Sequence, residues 1–180
     1  SCCTGFNLLL TYIFGKGVNY LYSYGIIHLL PVGNGKGNIN GYRRTYMDFH
    51  TIFRSRCLIT DGAMGTYYSE KYGKGSGSPE NDNLTAPQRI EEIHREYIEA
   101  GADILRTNSF ASNIRILCAG NAGSMTREEQ LRTVYENVAA ACRIAQSAAE
   151  QEQSRAEEEG RRIKEIYIAG DIGPVPEKRG

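Results

Sequence analysis

The sequence predicts an α/β fold in which strands and helices alternate, and three observations carry that prediction. Three short apolar runs, at residues 57–60, 102–106 and 166–169, each end in small polar residues, acids or glycines. Amphipathic helical patterns separate the first run from the second and the second from the third. Each of those helices has an N-terminal cap signature and a glycine at its far end. Two strands joined through a helix and a tight turn form a βαβ unit, which makes them parallel. Their carboxyl ends then share one edge of the sheet.

The first run belongs to the stretch Leu58-Ile59-Thr60-Asp61-Gly62-Ala63-Met64-Gly65-Thr66. Residues 57–60 read as a short buried strand that runs into an Asp-Gly turn. Such a turn brings a polar side chain and bare backbone N–H groups together at a strand's carboxyl end, where α/β folds place their chemistry. Residues 73–79, rich in glycine and serine, form a loop with little capacity to bury anything.

Thr85-Ala86-Pro87-Gln88 reads as a capping box with proline in the first turn. Ile90, Ile93, Tyr97 and Ile98 recur at helical spacing on one face, Glu91, Glu92, Arg95 and Glu96 fall mainly on the other, and Gly101 closes the helix. The second strand follows at 102–110 and ends in Thr107-Asn108. A short helical piece spans 113–119, and Thr126-Arg127-Glu128-Glu129 opens a long helix. Its apolar face is read as Leu131, Val134, Tyr135, Val138, Cys142 and Ala145. Its charged end, 150–159, is expected to project into solvent before Gly160 stops it. The third strand, 166–174, ends with Asp171 between glycines.

Residues 1–46 differ from the rest. They are crowded with glycine and tyrosine and read as a poorly structured extension outside the fold, with the functional domain starting at Met47. The apolar stretch from Phe6 to Leu30 is broken by polar residues and glycines, against a membrane span. Gly33-Asn34-Gly35-Lys36-Gly37 lacks the spacing of a phosphate-binding loop and reads as a linker. Lys plus Arg (21) equals Asp plus Glu (21), so no global field favours nucleic acid or an anionic membrane. The five cysteines, Cys2, Cys3, Cys57, Cys118 and Cys142, lack the spacing of a disulfide scaffold or a C-x-x-C motif, which fits a reducing, cytoplasmic setting.

Two architectures use this grammar, the doubly wound open sheet and the (β/α)8 TIM barrel. A dinucleotide-binding open sheet needs G-x-G-x-x-G after its first strand, and Gly62-Ala63-Met64-Gly65-Thr66 does not match. A barrel is favoured. Since a complete barrel takes about 250 residues, 47–180 is expected to hold a partial one: the first three strands and two main helices.

Five ordered motifs carry a resemblance. Asp61-Gly62-Ala63-Met64-Gly65-Thr66, Asn83-Leu84-Thr85, the run from Ile93 to Ile104, Thr107-Asn108-Ser109-Phe110 and Gly170-Asp171-Ile172-Gly173-Pro174 together resemble the homocysteine S-methyltransferase family. That resemblance implies a barrel that binds homocysteine, holds its sulfur as a zinc-bound thiolate and methylates it to methionine. Zinc suits the reaction, because a thiol is a poor nucleophile until it is deprotonated. The resemblance places Asp61 against the substrate's ammonium and the N–H groups of Ala63 and Met64, beside Gly62, against its carboxylate. Thr107 and Asn108 line the same pocket, and Gly173 and Pro174 shape its rim. It leaves the methyl donor open among cobalamin, folate and sulfonium compounds.

The family's zinc cysteines fall in later strands, so none is expected within this chain, and the fragment is expected to be inactive alone. Arg106 stands where the family commonly has an acid or glutamine. Each site residue also has a plainer reading. Asp61 and Asp171 can be turn residues, and Thr107 and Asn108 can satisfy backbone at a strand end. His94 reads as a surface or interhelix residue, and Cys118 and Cys142 as small core residues. Two alternative functions stand beside methyl transfer: a non-catalytic truncated product or interaction module, and another TIM-barrel enzyme with Asp61 or Asp171 as general base.

Overall fold

The computed structural model describes the backbone of residues 26–31, together with residues 54–73, 77–121 and 123–174. In chain order these form β1 (Ile26–Pro31), α1 (Met64–Tyr72), a 3-10 turn (Pro79–Asn81), α2 (Asp82–Thr85), α3 (Pro87–Glu99), β2 (Ile104–Arg106), α4 (Ile114–Leu117), α5 (Arg127–Glu158) and β3 (Tyr167–Asp171). The fold is α/β. Most of residues 1–46, the glycine-rich run 33–37 and the domain start expected at Met47 lie outside the described residues. Among the described residues no helix is long and apolar enough to cross a membrane.

The sheet order is β1-β3-β2. β2 and β3 are parallel, with Ile104, Leu105 and Arg106 opposite Tyr167, Ile168 and Ala169, as the βαβ pattern requires. β1 runs antiparallel to β3. The segment expected as the first strand reaches the sheet through one parallel bridge, Thr60 to Ile104. Hydrogen bonds extend that contact. The N–H groups of Asp103 and Ile104 donate to the Ile59 carbonyl at 2.7 and 3.1 Å, and Asp61 N–H donates to the Ile104 carbonyl at 2.9 Å.

Residues 57–60 are not the buried strand the sequence suggests. Leu58 packs on Ile104, Tyr167 and Ala169, while Ile59 is 59% exposed. Successive side chains point to opposite faces of a strand, and the described residues cover only one of them here. Asp103 pins this end of the sheet. It accepts from Ile59 N–H and Arg56 Nη1, each at 2.9 Å, with Lys164 Nζ 3.3 Å away.

α3 lies across the sheet as its apolar spacing dictates. Ile98 joins Ala102, Leu105, Ala148, Ala149 and Ile166 in one core cluster, and Ile90 and Ile93 join Tyr68 and Ile144 in another. Fully burying an aliphatic side chain of this size is worth about 1.5–3 kcal/mol, so these contacts dominate the helix's docking. Gly101 ends the helix at φ +107°. Its N–H donates to the Ile98 carbonyl and Ala102 N–H to the Tyr97 carbonyl, both at 2.9 Å, which is the paired pattern of a Schellman end. Gly160, at φ +63°, closes α5 the same way through the carbonyls of Glu157 and Ala156. A Gly101→Ala variant is expected to lose about 1–2 kcal/mol, the cost of forcing a Cβ into left-handed backbone, measured by thermal unfolding.

Four sequence expectations change. Thr85 does not cap α3: the N-cap is Ala86, and Thr85 Oγ1 instead donates to the Asn81 carbonyl at 3.1 Å and to Asp82 Oδ1 at 2.8 Å. Pro87 keeps its predecessor out of helical backbone, with Ala86 at φ −148° and ψ 60°, so Thr85 completes α2. The buried side of α5 is Asn137, Ala140, Ala141, Ile144, Ala145, Ala148 and Ala149, while Leu131 is 50% exposed. Alanines let α3 and α5 approach closely, so the contact face is rotated from the most apolar one. The charged end of α5 does not simply project, because Ala156 is buried and Glu152 bonds Arg161 and pairs with Arg155. His94, read as a surface or interhelix residue, is fully buried, which removes the surface reading.

Candidate functional site

The edge formed by the carboxyl ends of residues 57–60, β2 and β3 gathers Asp61, Arg106, Thr107 and Asp171. Asp61 is 6% exposed and its carboxylate is fully engaged. Oδ1 accepts from Arg106 Nε at 2.8 Å and Oδ2 from the Arg106 backbone N–H at 2.9 Å. Arg106 Nη2 donates to the Gly62 carbonyl at 2.7 Å, and Nη1 lies 3.7 Å from Asp171 Oδ2. One guanidinium thus links the first and third strand ends. Burial pushes the Asp61 carboxyl above its ordinary value, against the opposing pull of Arg106. Asp171 also rises through burial, with Arg106 lowering it and nearby Glu80 adding to the rise.

Thr107 and Ser109 lock the second strand end to the third. Asp171 N–H donates to Thr107 Oγ1 at 3.0 Å, and Ser109 Oγ donates to the Asp171 carbonyl at 2.7 Å. The 2.7 Å contact between the two hydroxyls then runs from Thr107 to Ser109, whose own proton is already committed. Asn108 turns toward the preceding loop, donating to the Pro79 carbonyl at 2.8 Å and to Asn83 Oδ1 at 2.9 Å. Asn83 returns a bond to the Asn108 carbonyl at 2.7 Å and reaches Asn137 Oδ1 at 2.9 Å. Glu80 accepts from Ala111 N–H at 2.9 Å and from Ser78 Oγ. This buried polar network fixes the height of the strand-end loop relative to α5.

Gly62, Ala63 and Met64 carry the chain from Asp61 into α1. No side chain caps α1 and its first turn holds no acid, so its opening N–H groups keep their positive dipole character. A Cβ on Gly62 would stand 2.8 Å from Tyr97 Oη, and one on Gly173 2.5 Å from the Phe110 carbonyl. Both glycines therefore admit close neighbours. Ala63 and Tyr97 also line a groove of about 360 Å³ between α1 and α3, with Thr66, Tyr67, Glu70, Glu96 and Ala100.

The structure brings Asp61, Gly62, Thr107 and Asp171 to one edge and directs Asn108 into the network behind it. Sequence reasoning missed Glu80, Asn137 and the seating of Tyr97 on Gly62. Asn137 left one signal: a polar residue at core spacing with Ala140, Ala141 and Ile144.

The motifs that build this edge lie inside one continuous family match, since the model of the homocysteine S-methyltransferase family aligns with residues 58–178. The chain belongs to the homocysteine S-methyltransferase family. It is 29% identical to a methionine synthase of Mycobacterium tuberculosis over 133 residues, which is 71% of this chain and 10% of that protein. A methionine synthase of Mycobacterium leprae is 29% identical over 134 residues, again 71% of this chain and 10% of that protein. The chain thus spans about a tenth of the length of the curated relatives it matches.

Zinc is the metal that homocysteine S-methyltransferases imply. Among the described residues no group of three or more His, Cys, Asp or Glu side chains is placed to hold a metal ion. Cys57 is exposed at the amino end of its segment, opposite the Asp61 edge, and Cys118 is buried beside α4. Burial pushes the Cys142 thiol up to about 11, so it stays protonated near neutrality.

Proposed function

We propose that this chain supplies the amino-acid grip of a homocysteine S-methyltransferase, built on the first strands of a (β/α)8 barrel in a cytoplasmic protein. The observation that carries the reading is the meeting of Asp61, Thr107 and Asp171 on one edge within the family-matched span. The acids there outnumber the single guanidinium, which favours an ammonium group. The uncapped start of α1 at Ala63 and Met64 adds positive character beside Arg106, and the two together favour a carboxylate. An α-amino acid carries both groups one carbon apart, so the edge is complementary to it. Thr107 and Asn108 hold the floor of the grip through backbone and loop contacts, and Gly62 lets the chain turn tightly under Tyr97. The methyl transfer to sulfur belongs to residues beyond this grip.

Calorimetric titration of the purified protein tests the reading. L-homocysteine is expected to bind saturably and to be displaced by L-methionine, which shares its amino-acid end, and not by propane-1-thiol, which shares only the thiol. Displacement by the bare thiol, or no saturable binding of L-homocysteine, sinks it.

A further inference from the structure

The family resemblance assigns the ligand's ammonium to Asp61, yet that carboxylate is closed. Its side chain is 2% exposed, and both oxygens are held by Arg106, one by the side chain and one by the backbone N–H. Asp171 is the open acid of the edge. Its side chain is 23% exposed, and among the described residues no side chain donates to it within hydrogen-bond distance, the nearest cation being Arg106 Nη1 at 3.7 Å. Its backbone is locked from both sides by Thr107 and Ser109, and its carboxylate takes one backbone bond, from Ile172, so it is held in place with accepting capacity left over.

Arg106 is divided in the same way. Nε and Nη2 are spent on Asp61 and on the Gly62 carbonyl. Nη1 donates no hydrogen bond among the described residues, and the side chain is 36% exposed. A guanidinium anchored along one side presents its remaining N–H groups in a fixed direction, which suits a carboxylate ligand.

We propose that Asp171 receives the ammonium of the bound amino acid, that Arg106 Nη1 receives its carboxylate, and that Asp61 is a positioning residue acting through Arg106. This rests on the reading of the edge as an amino-acid grip. The ligand's two charged groups replace the loose contact between Arg106 and Asp171 with two direct ones. Arg106 is then the residue that makes this member's grip depend on both ends of the amino acid.

The test is titration with L-homocysteine, its desamino analogue and its decarboxylated analogue. Asp171→Asn is expected to weaken homocysteine about tenfold, the loss of one ammonium–carboxylate pair, and to leave the desamino analogue unchanged. Arg106→Gln is expected to weaken homocysteine by a similar factor and to leave the decarboxylated analogue unchanged. Asp61→Asn is expected to copy the Arg106→Gln pattern, and the double variant to be no worse than Arg106→Gln alone, because the two act as one unit. Circular dichroism melts confirm folding, with Asp171→Ser as the second variant at that position. If Asp61→Asn, and not Asp171→Asn, removes the ammonium-dependent part of the affinity, the proposal falls and the grip stands. If unsubstituted protein does not bind homocysteine saturably, both fall.

Discussion

Replacing Asn137 by alanine is expected to destabilise the protein by about 3–5 kcal/mol, from stranded polar groups that cost about 1–3 kcal/mol each. Asn137 is 1% exposed on the buried side of α5. Its Nδ2 donates to the Glu80 carbonyl at 2.7 Å, while its Oδ1 accepts from Asn83 at 2.9 Å and from Ser112 at 2.8 Å. Alanine strands one amide N–H of Asn83 and the Ser112 hydroxyl and removes one of two bonds to the Glu80 carbonyl, which keeps the Asp82 N–H, in a space that alanine also leaves underfilled. The effect reaches the site, because Asn83 is the residue that holds Asn108, and Asn108 sits next to Thr107. Urea unfolding followed by circular dichroism measures it: the midpoint falls and the slope stays the same. Leu131→Ala is the contrasting control. Leu131 heads the face of α5 that looks most apolar, but at 50% exposure its truncation is expected to change stability by less than about 0.5 kcal/mol. Equal losses from the two variants would contradict the account of α5 given above.

That contrast shows which parts of the fold were legible in the sequence. Gly101, Gly160 and the Thr126 cap announce helix ends because their cause is local, a positive φ or a side chain within reach of nearby N–H groups. Parallel pairing of β2 and β3 follows from the length of the intervening helix. The face of α5 was not legible, since alanine gives a weak hydrophobic signal and matters here for its size, through close approach to α3. Thr85 misled because two helix signals overlap there, and Pro87 decides between them by its steric demand on Ala86. At the site, the convergence of Asp61 and Asp171 could be read from strand ends alone. The closing of Asp61 by Arg106 could not, because it depends on which way one long side chain folds across the edge, and no spacing rule encodes that.

His94 gives the second large effect, and its sign is fixed by burial. The ring is fully buried on α3, and among the described residues neither nitrogen has a hydrogen-bond partner. Burial alone lowers its pKa from 6.5 to about 4, because the charged ring has no water and no carboxylate to stabilise it. Between those two values the unfolded chain holds a proton that the native protein does not, so stability falls as pH falls through this window. The full shift corresponds to about 3 kcal/mol, of which about 2 is expected to be gone on moving from about pH 7 to about pH 5. Asp82 and Asp103 have lowered pKa values, and their contributions are lost only at lower pH; Asp61 and Asp171, raised by burial, are the same in both proteins and cancel in the comparison. A His94→Leu variant removes the titration and fills the site with carbon, so its stability is expected to be nearly flat over the same interval. His28 and His50, present in both proteins, cancel in the comparison. Urea midpoints of the two proteins at the two pH values decide the matter. If both lose stability equally, the ring finds a proton partner or water in the native state and burial does not set its titration. If only the unsubstituted protein loses it, the ring stays neutral and dry in the native state, and the buried histidine sets the acid limit of the fold.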